Sequence, residues 1–177
     1  MDPTTGRLVR KLRLRHLELL AVLAQADTMR SASAQLHLSQ PAISKMLGEI
    51  EACFGARLFE RSHQGIQPNA LGAGAVFHAR AVLNQLTRAT EDVGAMQQGA
   101  QAVLRVGAPS VTATVPAAIA RLRARMPGAA VQIREGRVQE LIQRLLAGEL
   151  DCVYGAVTPE LLTADITPLL EPVAMLQ

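Results

Sequence analysis

Two helical patterns separated by only two residues are the feature of this sequence that most restricts its fold. Apolar residues recur at helical spacing over 29–36 and again over 39–54. Ser39 has the side chain of a helix N-cap, and Pro41 suits a first helical turn, where its missing N–H leaves no bond unmade. Gly55 is a typical residue to end the second helix. The pattern therefore predicts two helices joined by a tight turn.

Further elements flank this pair of helices on both sides. The segment 14–25 carries leucines at helical spacing, which predicts a preceding helix. After the pair, the extended pieces 58–61 and 66–67 surround a turn that contains Gly65, which predicts a β-hairpin, or wing. Three helices and a hairpin in this order predict a winged helix-turn-helix domain over 12–69.

The second helix of the pair has two chemically different sides. Its apolar side carries four residues at spacings of four, three and four: Ile43, Leu47, Ile50 and Phe54. This spacing predicts one buried face. The polar residues Gln40, Ser44 and Lys45 point away from that face. We expect them to form an exposed polar surface at the amino-terminal half of the helix.

A long helix and an α/β region follow the wing. Asn69 can cap a helix over 70–98, which is too long and too apolar to stand alone. Its apolar stripes favour a dimer seam with a second copy, and packing within the chain is the alternative. Helical patterns over 113–126 and 138–146 then alternate with strand patterns, the last at 151–157. This order predicts parallel strands in an α/β domain over 102–177.

The positive charge of the chain is concentrated at its amino terminus. The formal net charge is only +3, yet five of the first fifteen residues are basic, which suits an anionic partner. The basic start followed by the apolar run 19–26 resembles a signal peptide. His16 and Glu18 interrupt the stretch that leads from one to the other, and the apolar run is short. Because no segment approaches the roughly 20 apolar residues that span a bilayer, we expect no membrane partner.

The sequence offers no pattern for catalysis or for metal binding. Cys53 and Cys152 lie far apart without a partner at zinc-ligand spacing, so we expect them to fill core positions in a reduced cytoplasm. There is no Gly-rich phosphate loop and no nucleophile elbow in the sequence. We therefore expect no cofactor, no metal and no enzyme activity.

Three linked motifs resemble those of the LysR-type transcriptional regulators. They are RSASAQL over 30–36, LSQPAISK over 38–45 and GARLFER over 55–61, in the order and spacing of that family. The similarity runs from about Leu12 to the end of the chain and is strongest up to Asn69. It implies a mixed fold: an all-α winged helix-turn-helix with a long linker helix, then an incomplete α/β effector-binding domain like periplasmic binding proteins.

The resemblance also implies a function. It predicts a sequence-specific transcriptional regulator that binds an inverted-repeat operator in double-stranded DNA as a dimer or tetramer. The helix 39–54 would enter the major groove, where Gln40 can pair with adenine, Lys45 can reach guanine or phosphate, and Ser44 can contact either. The complete set of expected DNA contacts is Arg30, Ser39, Gln40, Pro41, Ser44, Lys45 and Arg61. The alternative for each is an ordinary solvated surface residue.

The effector of the family binds near the first strand of the second domain. Ser110 and Thr112 lie there, where hydroxyl and backbone N–H groups can bind a small-molecule effector such as a carboxylate, and helix capping is the alternative role. The family's effector domain has two lobes, and we expect the second to be absent here. Two other functions remain open: a small-molecule-binding module, or a degenerate regulator that dimerises without responding to an effector.

Overall fold

A computed structural model describes residues 8, 10–26, 28–62, 65–110, 114–156, 158 and 166. The chain divides into two compact units, residues 1–83 and residues 84–177. We call them the amino-terminal unit and the carboxy-terminal unit. Among the described residues, no helix is both long enough and apolar enough to cross a membrane.

The amino-terminal unit has the predicted order of elements. It contains α1 (Leu14–Leu23), α2 (Met29–Leu36), α3 (Gln40–Phe54), β1 (Phe59–Ser62), β2 (Gly65–Pro68) and the start of α4 (Ala70–Gln97). The two strands pair antiparallel, from Phe59 opposite Pro68 to Ser62 opposite Gly65. The three helices and the hairpin confirm the prediction of a winged helix-turn-helix.

Local capping explains where the paired helices begin and end. The Thr28 hydroxyl accepts a hydrogen bond from the Ser31 N–H at the start of α2 (3.1 Å). The Ser39 hydroxyl accepts one from the Ala42 N–H at the start of α3 (3.3 Å), as predicted. Gly55 ends α3 with a φ of 70°, a left-handed conformation that glycine adopts without strain.

An aliphatic core holds the amino-terminal unit together. Helices α1, α2 and α3 contribute most of its buried side chains, and β1, β2 and the start of α4 contribute the rest. The predicted apolar side of α3 is correct for three positions and wrong for the fourth, because Phe54 is 38% exposed and Cys53 is buried instead. Helical spacing identifies a face, but it does not show where along the helix the covering elements end.

Helix α4 begins in close contact with the segment before β1. Asn69 caps it as predicted, because its side-chain oxygen accepts from the Gly72 N–H (2.9 Å). The Asn69 N–H donates to the Leu58 carbonyl (2.9 Å), which ties the same turn to β1. A Cβ at position 72 would lie 1.9 Å from the Leu58 carbonyl oxygen, so only glycine fits there. Position 72 thus allows the backbone of α4 to approach the β1 segment.

The carboxy-terminal unit contains a parallel three-stranded sheet. Its elements are the rest of α4, β3 (Ala102–Ala108), α5 (Thr114–Arg125), β4 (Ala129–Glu135), α6 (Val138–Leu146) and β5 (Cys152–Val153). The strand order is β4-β3-β5, and both pairings are parallel, which confirms the predicted α/β arrangement. The last strand is shorter than the predicted 151–157, because it pairs with β3 only at Cys152 and Val153, opposite Val106 and Gly107.

One buried arginine and its ion pairs accompany the apolar core of this unit. The Arg105 side chain on β3 is 4% exposed and forms ion pairs with Glu91 (2.8 Å) and Asp92 (2.7 Å) of α4. Burial opposes its charged form, but the hydrogen bonds to these carboxylates outweigh it, so the pKa of Arg105 is raised. Asp151 accepts from the Arg105 backbone N–H (2.8 Å) and pairs with Arg88. This network attaches the second half of α4 to the sheet.

Candidate nucleic-acid interface

The amino end of α3 presents an exposed polar surface. Gln40, Pro41 and Lys45 are exposed. Lys45 lies on the side of the helix opposite the buried Ile43 and Leu47, whereas Gln40, three residues before Ile43, lies on their side and is exposed at the first position of the helix. Because the first N–H groups of a helix carry a partial positive charge, this end of α3 attracts phosphate as well as base acceptors. The exposed polar surface that the spacing predicts is therefore present.

A hydrogen bond joins α3 to the wing. The Arg61 guanidinium, on β1, donates from Nη2 to the Ser44 hydroxyl (3.2 Å). The structure thus brings together two of the expected DNA-contact residues that lie 17 positions apart in the chain. Ser44 is half-buried and Arg61 is exposed, so the bond holds the guanidinium beside the exposed side of α3. A polar bond in this place sets the distance between the helix and the first strand.

Glu51 makes a second link between α3 and the wing, which the sequence analysis missed. Its Oε1 atom accepts hydrogen bonds from the backbone N–H groups of Leu58 (2.8 Å) and Phe59 (3.3 Å). These donors would otherwise have no partner at the start of β1. The only signal in the sequence is an acidic residue one turn before the end of a helix, which is too common a feature to identify such a role.

A cleft of about 300 Å³ lies between α3 and the β1 segment. Its lining consists of Ser44, Leu47, Gly48, Glu51, Arg57, Phe59 and Arg61. Arg57 is exposed at this cleft and was not among the expected site residues, although it belongs to the third sequence motif. Two arginines beside the end of a helix form a positive surface of a kind that binds a phosphate backbone.

Other basic residues of the amino-terminal unit are also exposed. Arg30 lies in the first turn of α2, and no hydrogen bond or ion pair joins its side chain to Ser44 or Arg61 within the described residues. The basic residues near the start of the chain that the structure describes are exposed too: Arg10, Lys11, Arg13 and Arg15. These side chains are available to a polyanion, and each is separate from the cluster on α3 and β1.

The structure describes only one of the two residues that are expected to contact an effector. Ser110 is exposed and follows the carboxyl end of β3, before α5 begins at Thr114. Thr112 lies outside the described residues. Since ligands of parallel α/β sheets bind beyond the carboxyl ends of the strands, the position of Ser110 suits the expected effector contact. Among the described residues, no group of three His, Cys, Asp or Glu side chains could hold a metal ion.

Two sequence models of known families match this chain. Residues 14–73 match the "bacterial regulatory helix-turn-helix protein, lysR family", and residues 97–172 match the "LysR substrate binding domain". The second match covers most of the carboxy-terminal unit, and the first covers the helices, the wing and the start of α4.

Curated relatives and a solved structure agree with these matches. The chain is 33% identical to the transcriptional regulator GbpR of Azospirillum brasilense, over 86% of this chain and 45% of that protein. It is 35% identical to the uncharacterised transcriptional regulator YdcI of Escherichia coli K12, over 86% of this chain and 51% of that protein. A mutant of Corynebacterium glutamicum OxyR has the same fold, with a TM-score of 0.50 and 22% identity over 78% of this chain and 46% of that one. The chain thus spans about half the length of the curated relatives it matches.

Proposed function

Because the chain belongs to the LysR family of bacterial regulatory helix-turn-helix proteins, we propose that it is a transcriptional regulator that binds duplex DNA through α3. The observation that carries this proposal is the amino end of α3. Exposed Gln40 and Lys45 lie beside an arginine that the Ser44 hydroxyl holds on the wing. A helix end with these side chains fits the major groove, and a neighbouring strand with arginine fits the adjacent phosphates.

The expected contact residues divide into base readers and backbone contacts. Gln40 suits a bidentate bond to adenine, and Lys45 suits guanine or phosphate. Ser44 retains a hydroxyl proton for a base edge while it accepts from Arg61. The backbone contacts are the remaining expected residues, which hold the helix in register: Arg30, Ser39, Pro41 and Arg61. Arg57 joins them as a phosphate contact, because it lines the same cleft as Arg61.

We propose that the protein acts as a dimer or tetramer whose seam is the linker helix. Large apolar side chains remain exposed along α4: Leu71, Phe77, Val82, Leu86, Val93 and Met96. A second copy would bury them, and a two-fold pair of α3 helices would fit two half-sites of an inverted repeat about one helical turn apart. In this proposal residues 12–69 bind DNA, 70–98 dimerise and 102–177 form part of an effector-binding domain.

The effector proposal rests on the loop after β3. Ser110 is exposed there, at the end of the sheet where α/β proteins bind their ligands, and a small carboxylate is the class that hydroxyl and N–H donors favour. We further propose a cytoplasmic protein without enzyme activity, in keeping with regulators that act on DNA. The family assignment supports both the cytoplasmic location and the absence of enzyme activity.

A DNA-binding measurement with point variants tests the proposal. Binding sites are first selected from random duplexes with the 177-residue chain, and affinity is then measured by fluorescence anisotropy. Gln40→Ala and Lys45→Ala are each expected to weaken specific binding by about 1–3 kcal/mol, or roughly tenfold to a hundredfold, and Gln40→Ala to relax the base preference at one position.

Matched controls come from exposed residues outside the proposed interface. Gln139→Ala and Arg121→Ala remove the same kinds of side chain from α6 and from α5, and we expect less than about a twofold change in affinity from either. If both α3 variants bind DNA like the parent chain and remain folded, the assignment of the interface is wrong. If the parent chain selects no DNA sequence at all, the proposed function itself is wrong.

A further inference from the structure

A cleft in the carboxy-terminal unit is distinct from both sites above. It has a volume of about 520 Å³, and all of its lining residues lie between Asn84 and Leu150. Its floor is one face of the sheet, since Arg105 on β3 pairs in register with Gln132 on β4, and Arg134 is two residues further along the same face. One wall is the second half of α4, with Asn84, Thr87, Arg88 and Glu91. Ser110 does not line it.

The carboxylates of this cleft already have partners. Glu91 pairs with Arg105 (2.8 Å) and Glu149 pairs with Arg144 (2.8 Å). Glu135 also takes part in an interaction within the chain. Among the acidic side chains that line the cleft, none is therefore available to attract a cation.

Some N–H donors on the guanidinium groups of the cleft have no hydrogen-bond or ion-pair partner among the described residues. Arg88 pairs with Asp151 and donates to the Gly148 carbonyl (2.8 Å). Arg134 is exposed, and no hydrogen bond or ion pair engages its side chain within the described residues. The Arg105 side chain is 4% exposed, and its Nη1 atom has no hydrogen-bond partner among the described residues. A buried N–H donor without a partner is destabilising, so an acceptor oxygen that reaches it is favoured.

We propose that this cleft binds a small organic carboxylate, with Arg134 as its first contact and Arg105 as the deeper donor. Arg134 is accessible from solvent and can take a carboxylate in bidentate fashion. Arg105 Nη1 is screened from solvent, so the ligand engages it only after a small movement of the neighbouring side chains. The side-chain amide of Gln132 lines the same cleft and adds a neutral donor, whereas the Asn84 amide already donates to the Ala147 carbonyl (3.0 Å).

The charges and the shape of the cleft favour a monoanion with an apolar body over phosphate. Three glutamates and three arginines line the cleft, so a bound dianion would leave a larger excess of negative charge there than a monocarboxylate. Leu150 supplies apolar surface beside the donors, which suits the hydrocarbon part of an organic acid. The volume of about 520 Å³ lies within the usual range of small-molecule sites.

The test is a ¹H–¹⁵N NMR titration of the full 177-residue chain. The probes are benzoate, its neutral counterpart benzyl alcohol, and inorganic phosphate. We expect saturable shifts with benzoate at the backbone amides of 132–134 and 148–150 and at the side-chain Nε–H of Arg134. Benzyl alcohol should bind at least about tenfold more weakly, because it lacks the charge-assisted hydrogen bond, which contributes about that factor. Phosphate should also bind at least about tenfold more weakly, because it has no hydrocarbon part to contact the apolar surface of the cleft.

Two arginine variants separate this site from general attraction to positive charge. Arg134→Gln should weaken benzoate binding by about tenfold or more, whereas Arg123→Gln, the same change on an exposed residue of α5, should leave it within about twofold. Equal affinity in the two variants would overturn the proposal, and so would a preference for phosphate. Absence of saturable shifts in 132–134, or shifts confined to 108–110, would overturn it as well. None of these results depends on whether the chain binds DNA.

Discussion

The two units of this chain are stabilised in different ways. Most of the buried apolar side chains of the described residues belong to the amino-terminal unit, where they form one continuous aliphatic cluster. The carboxy-terminal unit has fewer, and Arg105 lies buried between carboxylates at its centre. Apolar packing has no direction, whereas ion pairs and hydrogen bonds require fixed geometry. The contrast teaches that the amino-terminal unit relies on close packing, whereas a polar network contributes to the carboxy-terminal unit.

The largest expected effect tests close packing in the amino-terminal unit. Gly72→Ala places a Cβ 1.9 Å from the Leu58 carbonyl oxygen, a backbone atom that cannot move aside alone. Helix α4 must then shift, and the Asn69 hydrogen bonds to this segment weaken. We expect a loss of about 3 kcal/mol in the free energy of unfolding, measured by urea denaturation.

Gly74→Ala is the matched control for this substitution. A Cβ at position 74 meets nothing within 4 Å, so the same chemical change there should stabilise α4 by up to about 1 kcal/mol through helix propensity. If the two alanine variants unfold at the same urea concentration, the close approach of α4 to the β1 segment does not occur.

An intermediate effect tests the polar network of the carboxy-terminal unit. Arg105→Met removes both ion pairs to Glu91 and Asp92 and leaves an unbranched apolar side chain in the buried position. We expect a loss of about 2 kcal/mol, less than for a fully buried pair because the two carboxylates remain partly solvated. Hydrogen exchange of the β3 amides measures this loss of stability in the carboxy-terminal unit specifically.

Arg144→Met is the control for burial. The ion pair between Arg144 and Glu149 has the same distance as that between Arg105 and Glu91, 2.8 Å. Both Arg144 and Glu149 have side chains that are more than one third exposed, whereas the Arg105 side chain is buried. The loss should therefore be below about 0.5 kcal/mol. Equal losses in the two methionine variants would show that burial of Arg105 is unimportant, and the contrast between the units would disappear.

The smallest expected effect is a difference in reactivity between the two cysteines, one in each unit. Cys53 is buried in α3 and Cys152 is half-buried in β5. Burial, and then the negative charge of Asp151, raise the pKa of the Cys152 thiol. Because folding raises the pKa of this thiol above its ordinary value of 9.0, the folded state favours the protonated thiol. The resulting gain in the free energy of unfolding is complete below pH 9.0 and is lost as the pH rises through the folded-state pKa. Native Cys152 should thus alkylate more slowly than a free thiol.

The order of cysteine alkylation in urea then compares the units directly. Iodoacetamide labelling read by mass spectrometry should modify Cys152 at a lower urea concentration than Cys53, since the carboxy-terminal unit buries less apolar surface. Labelling of a thiol-containing peptide under the same conditions provides the reference rate. Simultaneous labelling would mean that the units unfold together, and the reverse order would contradict the contrast in their cores.

Much of the fold and part of the interface were predictable because they depend on neighbours in sequence. Helix α2 has its predicted limits, 29–36, and the caps of α3 are the predicted Ser39 and Gly55. The parallel pairing of β3 with β4 and β5 also followed from the order of elements. The exposure of Lys45 followed from helical spacing alone, whereas Gln40 is exposed because it stands at the first position of α3. The DNA contacts of these residues, and the effector contact of Ser110, stay predictions.

The sequence by itself determined the local features of this protein: helix limits, caps, apolar faces and the polar surface on α3. These depend on side chains three or four residues apart, whose geometry a helix imposes. Only the tertiary structure decided that Arg61 donates to Ser44, that Glu51 caps the start of β1, and that Arg105 lies buried between carboxylates of α4. These contacts join residues that only the packing of separate elements brings together. For that reason the cleft beside Arg105 and Arg134 left no pattern in the sequence.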